Sequence, residues 1–571
     1  MNARFHRWPV LVSGMLIAAG LHAQGDPAQG GEYYIHGIFN PTLSEARKVD
    51  VRPEPIDTIL PERPVSYELL PVRFDPPARV DSIAPARLNI QSALPKLYHG
   101  FVKAGFGLYT TPIGELYYDQ TRSRKNGYGI HLKHFSSNGG IDDVGPSDYS
   151  FNSAEGFYKA FLDDHEVSGT ALYDRRRISY YGYPSNDSIQ DVLDATDSPD
   201  DFRKQIYNDI GFAARVRTLH LDSGRLGYTA GMEVHQYSNL TESRETNLRL
   251  AGDVHLQQGS ETYGLGVLLD NNAYRGQLGA DLGDFRQNGT LVGLEPRVST
   301  RGEKYEVRIG AGIFLDALGK STFHFFPQAY LSYSLFNDIL VPYAGVDGER
   351  RRNSFRSLTR ENPWLTGAPA LANTSLMYDV YGGLRGSLSS KLEFDVRVSK
   401  QRQKGMPLYV RVDNAPFGDQ MAVVYDRVDI LDVSGSLHYH VLNELDITGR
   451  LDLLTYETQD QPEAWNLPPY RIALGATYDI RDKLVLKAEA LFLGQRPALA
   501  QVVTDSLGAV VETRVQDLDG FLDLYLGAEY RYTKRLSVFL EVSNLSASKY
   551  ERWFRYPVQR TLVMGGATYR F

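Results

Sequence analysis

The sequence predicts a transmembrane antiparallel β-barrel of about 22 strands. Three observations carry that prediction. From residue 97 to the C-terminus apolar and polar residues alternate with a period of two. The alternating segments run for roughly 10 to 15 residues, where soluble strands usually run for 5 or 6. Short polar turns also alternate with longer connections along the chain. A soluble sandwich would share the alternation, with its apolar face turned to a core; segment length and the asymmetry of the connections favour a membrane.

Residues 1–23 contain Arg4 and Arg7, an apolar run from Trp8 to Leu21 and the small residue Ala23. That is the order of a secretory signal peptide, and the apolar run is shorter than the roughly 20 residues a spanning helix needs. No later run approaches that length, so membrane embedding must use strands. Residues 24–96 are rich in proline, with Pro53, Pro55, Pro61, Pro64, Pro71, Pro76, Pro77, Pro85 and Pro95. Proline removes a backbone donor and fixes φ, so an extended, irregular segment in the periplasm or the barrel lumen is expected.

Residues 97–571 form the expected barrel. Leu392, Phe394, Val396 and Val398 interleave with Glu393, Asp395, Arg397 and Ser399, and Leu522, Leu524, Leu526, Ala528 and Tyr530 interleave with Asp523, Tyr525, Gly527, Glu529 and Arg531. Leu484, Leu486, Ala488, Ala490 and Phe492 alternate in the same way with Val485, Lys487, Glu489 and Leu491. In a strand the two sets face opposite sides. With the first strand rising from Tyr98, short turns are expected near residues 124–127, 163–165, 222–224, 259, 302, 337, 389, 443, 482 and 534. Connections on the other side are expected near Pro112, 137–150, 182–203, 240–242, 275–284, Gly319, 351–373, 403–420, 459–467, 498–516 and 547–559. These turns and connections join 22 strands, an even number that returns both barrel ends to one side.

Composition removes several function classes. The net charge is −8 with charges of both signs spread along the chain, so no basic face for nucleic acid is suggested. The absence of cysteine rules out a disulfide frame, a thiolate metal site, a Cys nucleophile and a lipidated N-terminal Cys. Neither a Gly-x-Ser-x-Gly elbow nor a His-Glu-x-x-His pair stands out, and no catalytic, cofactor-binding or metal residue is assigned. The 37 tyrosines against 4 tryptophans suit strands whose ends sit where one side is apolar and the other wet.

The last 36 residues, LSVFLEVSNLSASKYERWFRYPVQRTLVMGGATYRF, resemble the end of the barrel of TonB-dependent receptors. The resemblance is carried by Asn544, Leu545, Tyr550, Tyr556, Pro557, Arg560, Gly565, Gly566, Tyr569, Arg570 and Phe571. It implies an outer-membrane barrel of 22 strands among lipid, with Tyr569, Arg570 and Phe571 as a membrane-insertion motif accepted by barrel-assembly machinery. It also implies a plug domain of well over a hundred residues, whereas Gln24 to Lys96 supply 73. Lys48, Val49, Asp50 and Val51 are a candidate for a strand that pairs with TonB, although such short alternations also arise by chance. The expected function is a receptor or transport barrel with a reduced or absent plug. The alternative is a non-transporting scaffold subunit of a multi-protein outer-membrane assembly or secretion machine, with a partner protein or lipoprotein filling or capping the barrel.

Such a wide lumen needs a filler. The Pro-rich segment folded up and the long loops folded down together are the expectation. Arg175 and Arg177 share a strand face, and Arg350, Arg351 and Arg352 begin a connection that continues with Arg356 and Arg360. One reading is an anion or lipopolysaccharide contact, since guanidinium binds such groups bidentately. The other is ion pairing with lumen carboxylates such as Asp174 or Glu349. His438 and His440 project from one face two residues apart, as a metal pair would, but no third ligand is near in sequence, so polar lumen residues are expected. Residues 183–202 are acidic without the spacing of a calcium loop and read as solvated surface. In the last strand Val563, Gly565, Ala567, Tyr569 and Phe571 should face lipid, and Met564, Gly566, Thr568 and Arg570 the lumen. That strand should pair with residues 538–542 on one side and with the first strand on the other.

Overall fold

The computed structural model describes residues 97–571 except 121–122, 184–203, 220–223, 278–282, 413–419 and 505–509. Twenty-two strands form one closed antiparallel sheet. The first strand, Gly100–Gly107, pairs with the last, Leu562–Arg570, in a register that runs from Phe101 opposite Arg570 to Gly107 opposite Met564. The last strand pairs on its other side with Leu536–Ser543. Its terminal residue is held too: Phe571 donates its N–H to Gly100 and accepts through its carbonyl from His99 and Gly100 at 2.9–3.0 Å. The chain does not fray because the first strand holds Phe571 itself, while on the other side the Arg570 N–H donates to the Arg535 carbonyl at 2.8 Å. No helix among the described residues is long and apolar enough to cross a membrane.

The faces are reversed relative to a soluble sandwich. Outward positions are apolar and exposed, among them Ile210, Phe212, Ile309, Phe323, Phe325 and Leu540, at 47–69%. Inward positions of the sheet carry buried Asp209, Glu245, Asp270, Asp316 and Asp379. Tyr118, Tyr128, Tyr263, Tyr333, Tyr439 and Tyr530 are exposed near the short-turn ends of their strands, as the tyrosine excess suggested. In the last strand Tyr569 and Phe571 are outward and exposed, while Met564 and Thr568 are buried inside.

The short turns lie where the sequence placed them, with residues 222–223 of one of them outside the described residues, and the described connections follow with two corrections. Pro112 lies inside the strand Thr111–Asp119, and the chain reverses just before it, at Tyr109 and Thr110, both with positive φ. Pairing with the next strand begins only at Ile113, so the missing proline N–H costs no ladder bond. Residue 403 does not open a loop: the strand Leu392–Arg411 runs on, with a bulge between Lys404 and Met406 at Gly405, whose φ is +71°. The punctuation read as a loop is a single inserted residue. Strands also exceed the expected range, from 8 residues in the first to 22 in Met421–Leu442. The Pro-rich segment, the 48–51 candidate and nearly all of the acidic stretch 183–202 lie outside the described residues.

Two long connections carry hairpins of their own, Arg496–Thr504 with Val510–Leu518 and Glu551–Trp553 with Tyr556–Pro557. A third, after the strand Val341–Arg351, holds the one helix of the described residues, α1, Phe355–Glu361.

Candidate functional site: an inward-folded lid at the loop end

Helix α1 begins at Ser354 because that side chain accepts from the Ser357 N–H at 3.1 Å while Ser357 Oγ accepts from the Ser354 N–H at 2.9 Å. This reciprocal cap satisfies two amides the first turn would leave free. The wall supplies another acceptor. The Glu245 carboxylate, on the strand Arg244–Gln258 and 1% exposed, accepts from the Phe355 and Arg356 N–H groups at 2.5 and 3.3 Å and from the Asn272 amide at 3.2 Å. Phe355, Leu358 and Leu365 are then fully buried against Tyr207, Tyr237 and Tyr274. The Phe355 ring meets those of Tyr237 and Tyr274 at 5.4 and 5.3 Å. On their strands these tyrosines alternate with outward residues such as Ile210, so the helix packed on them lies inside the barrel.

Arginines tie the segment to the wall. Arg350 binds the Asp316 carboxylate through Nε and Nη2 at 2.8 and 2.6 Å, and the Asn373 amide donates to the same oxygen at 2.9 Å. Arg352 reaches Asp270 at 2.6 Å and donates to two wall carbonyls. Arg356 and Arg360 converge on Asp209, 3.2 and 2.8 Å from Oδ2, while His235 contacts Oδ1 at 2.9 Å. Arg351 pairs with Glu349 beside it. The five arginines of this stretch therefore all meet carboxylates, and of the partners suggested by sequence only Glu349 is among them. Arg175 and Arg177 point the other way, sharing the outward face with exposed Tyr173; Arg177 pairs with Asp148.

Beyond the helix the chain stays anchored. Tyr207 donates to the Pro363 carbonyl at 2.8 Å, Tyr180 to Leu365 at 3.0 Å, the Trp364 indole to Ser179 at 3.0 Å, and Tyr409 to Glu361 at 2.6 Å. Leu365 forms a parallel bridge with Met421. The last connection meets it: the Trp364 ring stacks on Tyr556 at 4.3 Å, and the Tyr181 ring meets Tyr556 edge-on at 5.0 Å. Above this, Arg496 donates to the Arg552 and Glu551 carbonyls at 2.7 and 2.6 Å. Burial, reinforced by Arg552, pushes its guanidinium down to about 10.

Sequence reasoning found the arginines but missed the wall carboxylates and the inward tyrosines. Each lies on an alternating strand like any other lumen residue, so no local signal marks it. The arrangement places a short helix inside the barrel and holds it there by four ion pairs to the wall, from Arg350, Arg352, Arg356 and Arg360, and by a buried aromatic cluster. The chain matches no protein-family model, and no curated protein sequence matches it either. Its fold matches solved structures. The FrpB iron transporter from Neisseria meningitidis superposes with a TM-score of 0.63 at 11% identity, over 84% of this chain and 82% of that one. The siderophore receptor PirA from Acinetobacter baumannii gives 0.61 at 11%, over 84% and 81%. The copper transporter OprC gives 0.60 at 11%, over 84% and 82%. The fold is thus the 22-strand barrel of TonB-dependent receptors.

Proposed function

We propose that this chain, with the barrel fold of TonB-dependent receptors as its premise, is an outer-membrane receptor or transport barrel with a reduced plug or none, obstructed at its loop end by the segment around α1. The observation that carries the reading is the burial of Phe355 and Leu358 inside the barrel, at 0% and 1% exposure, under ion pairs from wall carboxylates. A loop held so firmly does work that a plug does elsewhere. Export by residues 1–23 would place the short turns in the periplasm and the loops outside, where a ligand would meet the lid first. The 73 residues from Gln24 to Lys96 fit a partial lumen filler better than a folded plug. The comparison proteins are named for iron, siderophore and copper, so a metal or metal chelate is the ligand class to test first.

Single-channel conductance in planar bilayers tests the reading. The wild type should conduct poorly, and deletion of residues 354–367 should open a large, steady conductance. Deleting 24–96 should add to it if that segment shares the lumen. No rise on deleting the loop would sink the lid. A native-membrane pull-down that recovers a stoichiometric large partner, with no ligand bound, would favour the scaffold reading.

Tyr569, Arg570 and Phe571 serve, in the same reading, as the mark by which barrel-assembly machinery accepts the chain. The Phe571 ring lies over Gly100, where a Cβ would come within 2.2 Å of it, and stacks near Tyr569 at 6.3 Å. Phe571→Asp should lower the membrane-inserted, heat-modifiable fraction several-fold in cells; unchanged levels would remove that role.

A further inference from the structure

The pair His438 and His440, set aside for want of a third ligand, gains one from the neighbouring strand. His440 lies directly across from Asp446 on Leu445–Thr458, and the facing side chains of such a pair share one side of the sheet. His440 Nδ1 contacts Asp446 Oδ1, and His438 Nε2 stands 3.9 Å from the same oxygen. The two imidazole centroids are 4.3 Å apart. One ligand atom from each of the three side chains falls within 4.8 Å of the others. All three point into the lumen at its short-turn end, because the residue between the histidines, Tyr439, is outward and exposed.

We infer that His438, His440 and Asp446 form a binding site for a late first-row divalent cation, Zn2+ or Cu2+, at the turn end of the lumen. The donor set fits that class: two imidazoles and one carboxylate suit borderline metals, while calcium and magnesium prefer all-oxygen shells. Bonds of about 2.0–2.2 Å at tetrahedral angles hold ligand atoms roughly 3.4 Å apart. The more distant donors therefore need to close by roughly 1–1.5 Å, while the contact between His440 Nδ1 and Asp446 Oδ1 opens by roughly 1 Å. Side-chain exposures of 23%, 44% and 44% leave rotamer freedom for that adjustment and let water reach a fourth position. Glu393, directly across from His438 on the other neighbouring strand, is placed to support that position. The site bridges two paired strands beside their short turn 443–444, and it lies at the opposite end of the lumen from the lid.

The untagged full chain, purified in detergent, should take up one equivalent of Cu2+ whose electron paramagnetic resonance spectrum shows coupling to two imidazole nitrogens. Isothermal titration with Zn2+ should show the matching site. The His438→Ala, His440→Ala double variant should lose it, Asp446→Asn should weaken it at least tenfold, and His131→Ala, on a distant strand, should leave it unchanged. Equal stoichiometry and affinity in the double variant would overturn the site. If that variant fails to give a heat-modifiable barrel, the wild-type Cu2+ spectrum decides alone, and a spectrum without nitrogen coupling overturns the site. Neither result depends on whether the lid gates transport.

Discussion

Replacing Gly566 with valine should abolish the closed barrel. Gly566 sits in the last strand opposite Gly105 of the first, and a Cβ built there would lie 2.2 Å from the Ala104 carbonyl oxygen and 2.6 Å from the Gly105 Cα. Those are backbone atoms of the seam, so they cannot rotate away. The partner glycine is equally confined, with its own Cβ position 2.9 Å from the Gly565 carbonyl and 2.8 Å from the Phe539 ring. Phe539, paired across from Gly566, fills the space that two missing side chains leave, a device known to rescue glycines in sheets. Forcing the strands apart would free the ladder from Phe101 to Gly107, and each unpaired amide or carbonyl in hydrocarbon costs several kcal/mol. Folding in detergent or lipid, read as the heat-modifiable band on gels and as protease resistance, should fall to background for Gly566→Val. Gly435→Ala is the control, since nothing lies within 4 Å of a Cβ there. A wild-type folded fraction in Gly566→Val would refute the seam requirement.

The second large effect should follow from Asp209→Ala. Asp209 is 1% exposed and meets Arg356, Arg360 and His235 at once. Burying such a cluster gains little net stability, but removing one partner leaves buried guanidinium groups uncompensated, at a cost of about 3–5 kcal/mol. The barrel ladder does not depend on this carboxylate, whereas α1 does. The expected outcome is a folded barrel with a detached lid: conductance rising toward that of the 354–367 deletion, and new tryptic cleavage after Arg356 or Arg360. Changing Asp209, Arg356 and Arg360 together to leucine should restore a low conductance, because an apolar contact can replace the ion cluster without the unpaired guanidinium charge. Should Asp209→Ala conduct like the wild type, the ion cluster does not hold the lid.

Most of the barrel was legible because its signals are local. Strand faces follow from a period of two, and a turn shows itself in residues such as Gly259, Gly319 and Asn337, which adopt positive φ where the chain reverses. The two misreadings came from the same kind of signal used too literally: Pro112 and Gly405 look like breaks but sit where a missing donor or an extra residue is tolerated. The lid was only half legible. Its arginines stood out as a run, yet Arg352 finds Asp270 from 82 residues away and Arg360 finds Asp209 from 151. His440 and Asp446 are six residues apart, but only the hairpin register makes them neighbours.

What the sequence determined by itself is therefore the class of molecule: a closed, inside-out sheet with its strand count, its turn side and its terminal pairing, since alternation and turn chemistry are written within each strand. What only the tertiary structure decided is what occupies the lumen and which charges meet there. Closing the sheet brings strands far apart in sequence within reach across the lumen, and which inward side chains then touch is set by register and strand tilt summed around the ring, quantities that no single segment contains.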